Sequence, residues 1–296
     1  MKIFAFHLWR GGAGASAKTG FGGCGRGRGT GIRHHATKPD SPHLSITEIF
    51  LLFAGGLLAG FINVMAGGAG FMTFPLLLAA GMTEIEANAS NFVAVLPANV
   101  VGSVVYRNEL KSVRKHLGLR LFLAAAGGIL GSWILISTGQ TSFQKVIPWL
   151  LLFATASFTL GPWIKDQLER NFAFDGSRWL WLSFILEFIV YVYGGYFGLG
   201  MGIVMFAIYS IFSHMTIHQA NAIRNVTITL MTLISIAIFA QAGVIRWLPS
   251  FVMMSGAIIG GYLTARIAMR LPHHYVRKGI IVWAVCLTAL SFWRYH

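Results

Sequence analysis

From residue 46 onward the chain alternates long apolar runs with short polar turns. Apolar segments fall at 46–65, 70–80, 87–106, 117–137 and 146–164, and a stretch carrying both signs of charge follows at 165–178. Five more come after it, at 179–198, 200–212, 220–242, 247–268 and 275–292. Most have the length of about 20 residues that a helix needs to cross a hydrocarbon core of about 30 Å. The second segment of each set is too short to span alone. Helices are expected because backbone polar groups in lipid must find partners within their own segment. A membrane β-barrel would show alternating segments of about 10 residues, whereas these runs are continuous. The pattern predicts an all-α, polytopic helical membrane protein with eight to ten membrane segments.

The two sets of five read as copies. MTEIEANA at 82–89 and MTIHQANA at 215–222 align without a gap at a shift of 133 residues (215 − 82). At that shift Tyr106 falls on Phe239, and Gly127 and Gly128 fall on Gly260 and Gly261. Loop charge then distinguishes the copies. After the third segment the first half carries Arg107, Lys111, Arg114, Lys115 and Arg120, against Arg246 alone in the second. After the fourth segment the bias reverses, with Lys145 against Arg266, Arg270, Arg277 and Lys278. Basic loops mark the cytoplasmic side, so equivalent loops face opposite ways, as in inverted-topology repeats. The expected organisation is an N-terminal extension over 1–43, a first membrane repeat over 44–164, a polar linker over 165–178 and a second repeat over 179–296. One conflict remains in this scheme. If all ten segments cross, the Lys111 loop is cytoplasmic only with the N-terminus outside, while a basic tail favours inside. Either the tail is absent from the mature protein, or one short segment per half is re-entrant.

Composition supports the membrane reading. The 296 residues are 55% hydrophobic and 11% charged, with mean hydropathy +0.66, whereas soluble domains carry about 25% charged residues. The net charge of +14 resides largely in the tail and loops, so it signals topology rather than nucleic-acid binding. Residues 1–43 are rich in Gly, Arg, Lys and Ser with Asp40 as sole acid. Without a convincing amphipathic face, they read as a basic disordered or mis-called extension rather than a transit peptide. Cys24 and Cys286 show no CxxC spacing. His214 and His218 are four apart, but the HExxH order of a zinc site is absent. There is no P-loop, GxSxG or convincing triad, so neither an enzyme nor an ATP-driven pump is expected, and no cofactor.

Chemistry concentrates in two places per repeat. GGAG (Gly67, Gly68, Gly70) and GLGMG (Gly198, Gly200, Gly202) interrupt apolar runs between segments one and two. Glycine lets backbones approach closely or a helix unwind, and a broken helix at membrane depth is tolerated where it lines a cavity. Pro75 suits such a break. At the start of segment three stand Asn88, Ser90 and Asn91, and in the twin Asn221, Arg224 and Asn225. Helix N-termini favour anions, and a guanidinium suits carboxylate, sulfonate or phosphate. Position 91 is Asn where its twin 224 is Arg, so charge recognition is expected to be asymmetric. Glu187, the one acid well inside a segment, is a candidate for proton coupling or a structural partner of a nearby arginine or hydroxyl. Glu84 and Glu86 are expected to serve the helix start.

These motifs, with AGVIRW and AIIGGYLTARIAMRLP, resemble the TauE/SafE sulfite-exporter-like membrane permeases over about residues 44–293. The resemblance implies two homologous bundles and transport of small anions, chiefly sulfite and organosulfonates. It implies a substrate site of Gly67, Gly68, Gly70, Pro75, Asn88, Ser90 and Asn91 with Gly198, Gly200, Gly202, Asn221, Arg224 and Asn225. The chain departs from the family in reading ANASN where a threonine is common, and Arg224 where lysine is common. The expected function is a secondary anion permease of the cytoplasmic membrane, using a small anion, a coupling proton and the lipid bilayer. A passive channel or non-transporting scaffold is the alternative.

Overall fold

Among the described residues ten α-helices follow one another in strict up-and-down order. They are α1 (Ile46–Ala66), α2 (Gly70–Ala79), α3 (Glu84–Val105), α4 (Leu117–Thr138), α5 (Gln140–Asn171), α6 (Ser177–Tyr196), α7 (Met201–Ser213), α8 (Ile217–Gln241), α9 (Trp247–Ile267) and α10 (His273–Tyr295), with a 3₁₀ turn, η1 (Glu109–His116), between α3 and α4. The computed structural model describes residues 45–66, 68–171, 177–213, 215–267 and 273–295. Gly67, His214 and the extension expected over 1–43 lie outside the described residues. Among the described residues eight helices are long and apolar enough to cross a membrane, and α2 and α7 are shorter apolar helices. Phe122, Trp133, Trp149, Trp163, Trp181 and Trp293 are exposed on the outer surface, which in a bilayer is the lipid-facing side. The protein is a polytopic helical membrane protein.

Two boundaries differ from the pattern of hydrophobicity. The helix of segment three starts at Glu84 rather than 87, because Thr83 caps it. α5 continues through the charged residues to Asn171, so much of the expected polar linker is helix. Charged and polar side chains are good helix formers, and loss of apolarity marks where lipid contact ends, not where the helix does.

The direction of each helix follows from which residues meet. Along α1 and α9 residue numbers rise together: Gly56 lies against Met253, and Gly60 against Ala257. Added methyl groups there would overlap the backbone carbonyl oxygens of Met253 and Ala257, so glycine is what allows the two helices to touch. α4 and α6 run together in the same way, Gly127 against Tyr191 and Gly131 against Val192 and Tyr196. Among the described helices these two pairings are the most extensive. Each joins the first helix of one repeat to the fourth helix of the other, so the repeats are interleaved.

Equivalent helices of the two repeats instead pack antiparallel. Between α3 and α8, Phe92 meets Phe239 while Gly102 meets Asn225. Between α5 and α10, Trp149 meets Phe292 while Arg277 donates to the Phe158 carbonyl. A two-fold axis perpendicular to these helices therefore relates the repeats, which is the geometry of an inverted repeat. α1 and α2 form a hairpin, with Leu76 folded back on Gly55, and α6 and α7 form its twin, entering from the opposite end. The alternation is strict, so the start of α1 lies at the opposite end from η1. Re-entry of a short helix therefore does not reconcile a basic N-terminal tail with the Lys111 loop.

Candidate functional site

The tips of the two hairpins meet. Leu199, at the α6–α7 tip, packs on Gly70, at the start of α2. The α6–α7 turn requires glycine: Gly198 and Gly200 have φ of +79° and +76°, a region that costs other L-residues about 1–2 kcal/mol. Beside the tips lies a cavity of about 450 Å³ between α3 and α8.

Both short helices begin on this cavity. Gly68 and Ala69 line it just before α2 with Gly70 and Phe71 in the first turn, and Leu199 and Gly200 just before α7 with Met201, Gly202 and Ile203 in its first turn. The N–H groups of Phe71, Met72 and Ile203 are bonded to the carbonyls of Gly68, Ala69 and Gly200, and both helix starts present the positive end of the macrodipole. Ala69 precedes α2 without a side-chain cap. By contrast, α3 and α8 begin away from the cavity and are closed by reciprocal capping boxes. Glu86 N–H donates to Thr83 Oγ1 (3.4 Å) and Thr83 N–H to Glu86 Oε2 (3.0 Å). Gln219 and Thr216 repeat the arrangement at 3.3 and 3.1 Å. The Thr-x-x-Glu/Gln within the duplicated octapeptide is therefore a helix-start signal. The helix starts that reach the cavity are therefore those of α2 and α7, while those of α3 and α8, expected to favour an anion, are capped and lie away from it.

Of the expected site residues, the cavity brings together Gly68, Gly70, Asn91, Gly198, Gly200, Gly202, Arg224 and Asn225. Asn91 Oδ1 accepts from the Thr73 hydroxyl. The Arg224 Nη2 lies 3.4 Å from Asn225 Oδ1. Among the described residues Arg224 has no carboxylate partner, whereas Arg120 pairs with Glu187 at 3.2 Å and Arg246 with Glu86 at 2.8 Å. A guanidinium beside two helix N-termini, with no counter-charge of its own, is suited to hold an anion.

Other expected residues lie elsewhere. Asn88 is buried and donates to the Tyr196 carbonyl at 2.9 Å, tying α3 to the end of α6. Ser90 accepts from the Arg246 N–H at 3.0 Å, and Asn221 donates to Ile217 of its own helix at 2.9 Å. Pro75 lines a separate, apolar cleft between α2, α5 and α10. Glu187 is fully buried, bonded to Ser183 at 2.8 Å and paired with Arg120. Arg120 reads in sequence as a loop cation, yet it is only 1% exposed and sits under the Tyr209 and Phe184 rings.

The cavity also contains residues that the motifs did not single out: Asn63, Asn99, Tyr106 and Thr232. Asn99 and Thr232 occupy the same repeat position, and a polar residue at both twins of an apolar helix was the available signal. Glu84, expected at a helix start, additionally accepts from Gln144 (3.0 Å), Gln140 and Tyr295 (2.6 Å).

The profile of the family described as "Sulfite exporter TauE/SafE" matches residues 52–291. The chain is 26% identical to a "Probable membrane transporter protein" of Haemophilus influenzae, over 83% of this chain and 95% of that one. It is 23% identical to the "Probable membrane transporter protein YfcA" of Escherichia coli K12, over 83% and 90% respectively. The same identity links it to the "Probable membrane transporter protein ORF9" of a Sinorhizobium species, over 82% and 92%. No solved structure matches. A membrane transporter rather than an enzyme, this chain belongs to the sulfite exporter TauE/SafE family.

Proposed function

We propose that the protein is a secondary permease for small anions, sulfite or organosulfonates foremost, working by alternating access between its inverted repeats. The observation that carries this reading is Arg224, uncompensated among the described residues on a cavity where α2 and α7 both present their N-termini. A bound anion supplies the missing counter-charge. The glycine-built hairpin tips are the elements that can move against α3 and α8 around it. Glu187 is the fully buried carboxylate among the described residues, and in this reading it holds a coupling proton, whose binding releases Arg120. The cell membrane is the proposed location. Arg107, Lys111, Arg114 and Lys115 lie at the same end as Arg277 and Lys278; basic residues favour the cytoplasm, so the start of α1 faces outward.

Flux into proteoliposomes under an imposed pH gradient tests the proposal, with sulfite, sulfoacetate and acetate as substrates. Saturable flux of a sulfur oxyanion is expected, abolished by Arg224→Ala and uncoupled from the gradient by Glu187→Gln. Flux indifferent to Arg224→Ala would sink the anion site. Conductance without saturation would indicate a channel instead.

A further inference from the structure

The repeat gives every residue on one side of the cavity a twin on the other, and the twins are not in the same state. On the side of η1 the lining runs from Asn99 and Thr232 out to Val105 and Tyr106, past Arg224 and Asn225. Here Asn225 crosses α3 at Gly102, where a methyl group would come within 2.6 Å of its amide nitrogen. The twins of Asn225, Gly102 and Tyr106 are Phe92, Ser235 and Phe239. On that side the cavity lining ends at Phe92 among the described residues. Phe92 and Phe239 pack there edge to face, with centroids 5.3 Å apart and exposures of 4% and 0%. Phe92 is the floor of the cavity. Further out, Arg246 closes over the start of α3 through Glu86 and Ser90.

We propose that Phe92 and Phe239 are a closed gate, so that the site is open only toward the η1 face. The inference rests on the transport reading for its purpose, though not for its geometry. In the reciprocal state the two rings part, and Tyr106 becomes the closing group. Its ring already lies 6.1 Å from that of His218 across the mouth. The two gates differ in chemistry. The shut one is wholly apolar and expels water by packing. The other is built from Tyr106 and Asn225, with Arg224 beside them, so it keeps polar groups against a departing anion. Sequence asymmetry between the repeats thus becomes a functional difference between the two faces.

Cysteine accessibility tests this without relying on flux. Cys24→Ser and Cys286→Ser give a background in which Ala98→Cys reports the cavity and Lys115→Cys marks the η1 face. A membrane-impermeant charged maleimide is applied from either side of oriented proteoliposomes. Labelling of Ala98→Cys is expected to be at least about tenfold faster from the η1 face, matching a minor state of 10% or less. Phe92→Ala with Phe239→Ala should raise labelling from the opposite face, and the milder Phe92→Leu with Phe239→Leu should do so in part. Equal labelling from both faces in the unaltered gate would overturn the proposal, as would faster labelling from the far face. A protein that shows the expected labelling but no anion flux would retain the gate and lose the transport reading.

Discussion

Thr155 and Thr288 touch hydroxyl to hydroxyl at 3.0 Å, and each is the other's repeat equivalent, 133 residues apart. Two copies of one position can meet only on the axis that relates them. The axis therefore runs between α5 and α10 at this point. Asn99 and Thr232, twins on α3 and α8 and both on the cavity wall, place its other end at the proposed site. Substrate on such an axis is approached by equivalent elements from both ends, and Arg224 breaks the equivalence.

Replacing one of the touching threonines leaves the other hydroxyl buried with only the carbonyl of Ala284 to bond. Thr155→Val and Thr288→Val are each expected to destabilise by about 0.6–1.7 kcal/mol, the range for polar contacts between membrane helices. The double variant should be more stable than additivity predicts. Thermal unfolding in detergent measures the coupling.

Arg120 and Glu187 offer a sharper contrast. Removing one member of a buried ion pair strands the other, typically at a cost of about 3–5 kcal/mol. Arg120→Met alone and Glu187→Leu alone should therefore fall by that order in the same assay. The combined variant is expected to recover most of the loss, and a combined variant as unstable as either single would refute the pairing.

Glycine at the α6–α7 turn can be tested against glycine on a helix. Gly200→Ala forces a side chain into φ near +76° and against Ala154, at an expected cost of about 1–3 kcal/mol. Gly118 has open space around it, so Gly118→Ala should gain up to about 1 kcal/mol. Opposite shifts in unfolding temperature are the expected result.

The duplicated octapeptide yields a prediction of its own. Thr83→Ala and Thr216→Ala should each cost about 1 kcal/mol through the lost cap. Thr→Ser at either position should restore most of it. Anion affinity, measured by flux competition, should change little, because neither cap lies on the cavity.

Hydrophobic run length was enough to place the spans, because lipid leaves the backbone few alternatives. Loop charge and the fixed shift were enough to suggest inversion, and the antiparallel pairing of α3 with α8 agrees with them. Spatial assignment of the motifs was less legible. Asn88, Ser90 and Asn221 sit beside Asn91 and Arg224 in sequence, but on a helix neighbours turn to different faces. Only Asn91, Arg224 and Asn225 reach the cavity. Arg120 was misleading for a related reason: a charge near a segment end looks solvated until its partner, 67 residues later in the chain (187 − 120), is seen packed against it. Likewise, nothing local in GGAG or GLGMG says that the two breaks touch.

The interleaving of the repeats has a consequence for biosynthesis. α1 owes its glycine face to α9, and that partner is made roughly 200 residues later, about 10–40 s at ordinary elongation rates of 5–20 residues per second. During that interval the groove along Gly56 and Gly60 is without its permanent neighbour. Insertion machinery, lipid or the α1–α2 hairpin itself must shelter it, and the chain completes its core only when the last third has emerged. Bulky substitutions at Gly56 or Gly60 should accordingly show themselves as lost yield before they show themselves as lost transport.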